Sequence, residues 1–281
     1  MIGLCVDSNS QLPPSLAERF GMVVVPISVT VDGVDYLEGV DITAAEFYTA
    51  WDDGQTPTIS TSQPSPGQFV TAYQQLVDAG ATEILSIHVA EAMSGTLNSA
   101  RVAARSATVP VTLVDSGTAS FGISCCAWAA ADAVAAGASI DEAARIAGAR
   151  SSALGSSFIV GIPQLAERSG RAVGAGVEAA ASVGIPVLSM AGSDIAVLDT
   201  VTTVDAAVTA MADYALGWTP SSPDGLRVAI GTSDVSSGVV AAALTEALSG
   251  HSALAEAPVQ YKIGPSVGAH TGPGTAGLFV F

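Results

Sequence analysis

Short runs rich in β-branched residues alternate with Ala-rich windows of helical length along nearly the whole chain, and that alternation leaves few folds open. Parallel strands need a crossover long enough to hold a helix, so such a chain is expected to build a parallel sheet with helices on its faces. In the first half, strands are expected at 2–6, 22–31, 84–89 and 109–114. Helices are expected at 14–20, 43–51, 66–79, 95–107, 121–137 and 140–153. The second half opens with a strand over 157–162 and a short helix over 163–168. Strands at 185–191 and 195–200 flank Gly192-Ser193-Asp194, whose residues suit a tight antiparallel turn. A helix over 204–217, a polar break over 219–225, a strand over 226–231 and a helix over 236–248 follow, with strands over 259–263 and 277–281 at the end. Antiparallel pairing is more frequent here than in the first half.

At 281 residues the chain exceeds one ordinary core of about 100–150 residues. Two domains are expected: an N-terminal α/β/α domain over 1–155 with a parallel sheet, and a C-terminal α/β domain over 156–281 with a mixed sheet. Hydrophobic residues make up 49% against 12% charged, mean hydropathy is +0.49 and aromatics are only 5%. A large core of small side chains follows, with no disordered tail.

Charge narrows the partners. The formal net charge is −17, the isoelectric point is about 4.1, and there are nine Lys and Arg. Nucleic acid needs clustered cations and is excluded as a partner; an anionic membrane surface is disfavoured for the same reason. The most apolar stretch, 121–138, is rich in Ala, Ser and Gly and carries Asp132, so it is not expected to span a bilayer. The first residues lack a basic region and run into Asp7, which does not fit a signal peptide. Cys5, Cys125 and Cys126 have no CxxC spacing and are read as inert packing in a reducing, cytoplasmic setting.

Four segments lie where a strand gives way to a helix, the edge at which open α/β sheets bind ligands. Asp7 and Ser8 follow the first strand, and Asp115 and Ser116 follow a later one; capping and loop bracing are the preferred duties of both aspartates. In Thr58-Ile59-Ser60-Thr61-Ser62-Gln63-Pro64-Ser65-Pro66, Ser65 before Pro66 is a good helix N-cap. That leaves Ser60, Thr61 and Ser62 as a hydroxyl cluster without a capping duty. The turn Ser94-Gly95-Thr96 at the start of a helix offers hydroxyls and backbone N–H groups to an anion, and Ser94 is equally suited to be the N-cap.

Near the C-terminus, Gly264 to Thr275 is a glycine-rich stretch with His270 at its centre. Of the three histidines, His88 lies inside a strand and is read as buried and satisfied, and His251 as solvated. His270 alone has a ligand-like setting, although a lone loop histidine is ambiguous. No phosphate-binding GxxxxGK[ST] loop, HExxH, paired CxxC or GxSxG is present. The chain is accordingly read as no enzyme in its own right, with no catalytic residue, metal or cofactor assigned.

Val6-Asp7-Ser8, Thr61-Ser62-Gln63-Pro64-Ser65, Ser94-Gly95-Thr96, Asp115-Ser116, Gly170-Arg171 and Gly268-Ala269-His270-Thr271-Gly272-Pro273-Gly274 together resemble the DegV family in order and spacing over essentially the whole chain. Each motif alone is weak; the co-occurrence is specific. The resemblance implies a long-chain fatty acid such as palmitate, stearate or oleate, bound between an N-terminal α/β domain and a C-terminal mixed-sheet domain. It also implies presentation of the carboxyl group to a separate fatty acid kinase catalytic subunit, feeding phospholipid synthesis. Matched residue by residue, Thr61, Ser94 and His270 would hold the carboxylate, with Ser62, Gly95 and Thr96 beside them and Arg171 assisting a phosphate or bracing a domain contact. One departure counts against the kinase role: where the family commonly has a basic residue after the hairpin, this chain reads Leu198-Asp199-Thr200-Val201-Thr202-Thr203. The alternative is a dihydroxyacetone-kinase-like enzyme that holds a small carbonyl substrate covalently through His270. Burying a sixteen-carbon tail is worth ~10–12 kcal/mol before entropic costs, against about 1.5–3 kcal/mol per hydrogen bond to the head. The tail would therefore set affinity, and the clamp would set which end faces outward.

Overall fold

A computed structural model describes residues 1–168, 170, 176–219 and 225–281, and the chain divides into two compact units. The first comprises Met1–Ile42 and Thr58–Ser152; the second comprises Thr43–Pro57 and Ala153–Phe281.

In chain order the first unit begins with β1 (Ile2–Asp7), α1 (Pro14–Phe20), β2 (Met22–Val25), β3 (Ser28–Val31) and β4 (Val34–Leu37). After α2 (Ala44–Tyr48), which belongs to the second unit, it resumes with β5 (Ile59–Ser62), α3 (Pro66–Asp78), β6 (Glu83–His88), α4 (Thr96–Ala104), β7 (Val111–Asp115), α5 (Phe121–Ala135) and α6 (Ile140–Arg150). A parallel sheet of order β2-β1-β6-β7 forms its centre, as the alternation predicts. Leu76 of α3, Ile84 of β6 and Ala100 of α4 share one apolar cluster with Cys5 of β1. The helix α5 is sealed along most of its length, including Phe121, Ile123 and Trp128.

Two expectations change here. The single strand over 22–31 breaks at Pro26, which cannot donate to a ladder, so its second half leaves the parallel sheet. That half pairs with β4 and β5 in a separate antiparallel sheet of order β4-β3-β5. Asp32 and Gly33, with φ 49° and 84°, make the β3–β4 turn. Asp-Gly between alternating runs was the available signal. The segment expected as a loop at 58–66 accordingly begins as a strand.

The second unit contains β8 (Gly155–Ile159), α7 (Pro163–Arg168), α8 (Val177–Ala181), β9 (Ile185–Ala191), β10 (Asp194–Val201), α9 (Val204–Leu216), β11 (Val228–Thr232), α10 (Gly238–Leu248), β12 (Val259–Lys262), α11 (Pro265–Thr271) and β13 (Ala276–Val280). Its six-stranded sheet runs β10-β9-β8-β13-β11-β12 and is mixed: β11 and β12 are parallel, while the other pairs are antiparallel. One face packs a broad core with α9 and α10, built on Met211, Ala215, Leu244 and Leu248 against Ile230 and Leu278. The other carries a small cluster in which Val160 and Leu188 meet Ala166 of α7 and Val177 of α8. The polar break at 219–225 lies, but for its two ends, outside the described residues. Among the described residues no helix is long and apolar enough to cross a membrane.

Candidate functional site

In the parallel sheet, β1 pairs with β2 on one side and with β6 on the other, so the chain reverses its direction of winding there. The loops after β1 and β6 leave the strands' carboxyl edge at that switch point, the usual ligand crevice of such sheets. Aspartates knit the edge together. Asp7 Oδ1 accepts from Asn9 N and Oδ2 from Val89 N, each at 3.0 Å. Asp115 Oδ1 accepts from Gly117 N at 2.9 Å and from Glu91 N at 3.3 Å. Asn9 Oδ1 accepts from Ser120 N at 3.0 Å. Both aspartates thus brace loops, as their positions predict. Ser8 is also engaged within the protein: its hydroxyl meets Glu38 and accepts from Ile27 N at 2.9 Å.

Sequence reasoning missed how far Asp7 reaches. His88 Nδ1 lies 3.0 Å from Asp7 Oδ2, His88 Nε2 lies 2.6 Å from Ser86 Oγ, and Ser86 Oγ lies 3.0 Å from Tyr73 Oη. Ser86 and His88, two apart on β6, face the same side of the strand. The residue types are those of a hydrolase triad, but Asp7, Ser86 and His88 are all 0% exposed and their bonds are directed into the unit. This row is an internal brace, and His88 is the satisfied strand histidine its position implies. The three cysteines are buried and free. Burial pushes the Cys5 and Cys126 thiols up to about 12 and Cys125 well above its ordinary range, so none offers a thiolate at neutral pH.

Ser94 precedes the N-cap of α4, a position occupied by Gly95. Its Oγ accepts from Thr96 N at 3.3 Å and lies 2.9 Å from Thr96 Oγ1. Gly95, not Ser94, is therefore the N-cap, while the partly buried Ser94 still takes one backbone N–H of the helix start. Ser65 caps α3 in a full capping box with Gln68, with Pro66 at the first turn. In β5, Thr61 opposes Val29 and Ser62 opposes Ser28. Neighbouring strand residues face opposite sides, and the alternating burial puts Thr61 on the half-buried face and Ser62 on the exposed one. The β5 and α4 segments meet through Gln63, whose Nε2 donates to Ser99 Oγ at 3.1 Å.

His270 does not sit in a loop. The glycine-rich stretch folds in part into α11, and His270 occupies its last turn, where the helix dipole favours a cation. The missed signal was Pro265 just after Gly264, a helix start. Glycines let this segment pack tightly within its unit. A methyl on Gly268 would overlap the Tyr48 hydroxyl, which itself donates to Ile263 O at 3.0 Å. A methyl on Gly161 would overlap the Pro273 carbonyl oxygen, and Ile162 N donates to Thr271 O at 2.9 Å. One carboxylate completes the arrangement. Asp234 accepts from Gly274 N at 2.8 Å and from the Ser233 and Ser236 hydroxyls at 2.7 Å each. Burial alone would raise its pKa; the hydrogen bonds from Ser236, Gly274 and Ser233 outweigh that and hold the carboxyl at about 2.

Arg171 lies outside the described residues. The run from Leu198 to Val201 forms the end of β10, where Leu198 is 44% exposed. Among the described residues no cluster of His, Cys, Asp and Glu is arranged to hold a metal ion.

Known proteins extend the pattern. A DegV domain-containing protein of Streptomyces coelicolor, SCO2569, is 30% identical over 280 residues, covering 99% of this chain and 98% of its own. A solved DegV family protein of Thermus thermophilus, described for its fatty acid binding, is 27% identical with a TM-score of 0.83, covering 100% of this chain and 99% of its own. A stearic acid-binding protein of Eubacterium ventriosum has a TM-score of 0.84 at 23% identity, covering 100% of this chain and 98% of its own, and bears on the fold alone. The family model described as "Uncharacterised protein, DegV family" matches residues 1–281. With that match spanning every motif from Asp7 to Gly274, the chain belongs to the DegV family.

Proposed function

We propose that this chain binds one long-chain fatty acid, such as palmitate, stearate or oleate, as a carrier rather than as an enzyme. The observation that carries this reading is the full-length likeness to the fatty-acid-binding Thermus thermophilus protein. The arrangement of the residues supports it. Ser94 and Thr96 stand at a helix start on the sheet's switch edge, where hydroxyls and backbone N–H groups suit a carboxylate. We assign the head to Thr61, Ser94 and His270, with Ser62, Gly95, Thr96 and Arg171 as further candidates. Thr61 and Ser62 face opposite sides of β5, so Thr61, on the half-buried side, is the one assigned to the head, with Ser62 beside it. The tail is proposed to run along the mixed-sheet face that carries Phe158, Leu188 and Val197, where the buried cluster is small. An apolar ligand would complete that packing at about 0.8 kcal/mol per buried CH₂.

Delivery to a separate ATP-hydrolysing kinase subunit is the further step of the same proposal. The run from Leu198 to Thr203, where a basic residue is common in the family, carries none, so lipid binding without kinase feeding is the fallback.

Lipid mass spectrometry after denaturing extraction tests the reading. A near-stoichiometric C16–C18 fatty acid is expected, and Ser94→Ala and His270→Ala should each weaken retention about tenfold, the size of one hydrogen bond to a charged group, with thermal stability kept. Protein free of lipid but carrying a carbonyl adduct on His270 would replace it with the dihydroxyacetone-kinase-like alternative. Acyl phosphate formed with ATP and a cognate kinase subunit would establish delivery; binding without turnover would leave storage or sensing.

A further inference from the structure

Gln63 is an exposed residue whose amide is nevertheless committed inside its unit. It directly follows β5, one residue beyond Ser62 and two beyond Thr61. Its Nε2 donates to Ser99 Oγ in the first turn of α4, and Ser99 is 2% exposed. The rest of the amide lies across Gly95. A methyl built on Gly95 would overlap Gln63 Oε1 and lie 2.7 Å from its Cδ. Gly95 has φ −76° and ψ 5°, a conformation open to any residue, so glycine is not required there by the backbone. A methyl there is compatible only with a Gln63 amide moved off its present seat.

Holding a long exposed side chain in one rotamer costs up to about 2 kcal/mol, and a neutral hydrogen bond returns about 1 kcal/mol, so the contact adds little to stability. What it contributes is geometry. It ties the end of β5, with Thr61 and Ser62, to the helix start that carries Ser94 and Thr96. Pro64, which is buried, and the Ser65 capping box fix the same segment from its other side.

We propose that Gln63 is a positioning residue for the carboxylate site: seated over Gly95, it sets the spacing between the β5 hydroxyls and Ser94. This inference rests on the fatty acid reading. It makes Gly95 a seat for Gln63 rather than only a point of ligand contact.

The test uses the delipidated full chain with two probes of equal tail length, palmitate and hexadecanol, the latter lacking the carboxylate. Gln63→Ala should weaken palmitate binding about tenfold and hexadecanol less than about twofold, since only the head loses its register. The melting temperature should stay within about 2 °C of wild type. Gly95→Ala should match the palmitate loss, because its methyl displaces the Gln63 amide. The double variant should be no worse than either single one, the non-additivity of two changes acting through one contact. Equal weakening of both probes, or losses that add, would overturn the proposal. So would an unaffected Gln63→Ala protein in which Ser94→Ala still weakens palmitate, and that result would leave the fatty acid reading standing. A wild-type chain that takes up neither probe would overturn both.

Discussion

The two sheets secure their polar loops by different means. In the parallel sheet of the first unit, β1, β6 and β7 all end at one edge, so their loops emerge side by side and side chains can lace them: Asp7 reaches Asn9 and Val89, Asn9 reaches Ser120, and Asp115 reaches Glu91. The mixed sheet of the second unit has antiparallel neighbours, which send successive loops to opposite ends. There the segment around His270 is held chiefly by backbone packed against its surroundings, with Gly161 against Pro273 and Gly268 against Tyr48, and with Asp234 as a polar brace. The direction of the strands therefore decides which kind of residue is indispensable: a hydrogen-bonding side chain in one unit, the absence of a side chain in the other.

The strongest attempt to break this contrast is Asp7→Ala. It would strip partners from His88, Asn9 N and Val89 N in a sealed interior, and about 4 kcal/mol of stability should be lost in urea unfolding. A loss below about 1 kcal/mol would mean that the first unit's edge does not depend on its side chains. Gly161→Ala probes the opposite claim. Its methyl has no space beside the Pro273 carbonyl, and about 3 kcal/mol should be lost through forced backbone movement. Tolerance of that methyl would remove the case for glycine packing.

The smallest effect sharpens the exception. Asp234 has a folded pKa of about 2 against an ordinary 3.8, so its ionised form is favoured by folding. Its contribution should be complete above pH ~4 and fade as the pH falls toward ~2. Asp234→Asn should cost about 1 kcal/mol at pH 7, a figure kept low because the carboxylate is partly exposed, and about a third of that at pH ~2.5, vanishing only below pH ~2. Unfolding curves at pH 7 and pH 2.5 would check it; an equal deficit at both would show that shape, not charge, holds the Gly274 turn.

Much of this was open to inspection in the residues themselves. The alternation of strand and helix windows set the parallel sheet, Ser65-Pro66 marked the start of α3, and Gly192-Ser193 marked the β9–β10 turn. The motifs from Asp7 to Gly274 located the family. These are local signals: period, cap chemistry and turn chemistry act over a few residues and need no partner. The departures occurred where a distant segment had the deciding influence. Pro26 ended one strand, but only pairing with β4 and β5 made the next run a second sheet. The short α11 was masked by its glycines, whose purpose is visible only once Tyr48 and Ile162 are beside them.

By itself, then, the sequence determined that this chain folds as an α/β protein of the DegV family and singled out the hydroxyls and the histidine that the proposal assigns to an anion. Tertiary structure alone decided that His88 is tied to Asp7, that Thr61 and Ser62 face opposite ways, and that Gln63 lies over Gly95. The physical reason is range. Propensity and periodicity are properties of neighbouring residues, whereas close approach and buried hydrogen bonds exist only between residues that folding brings together.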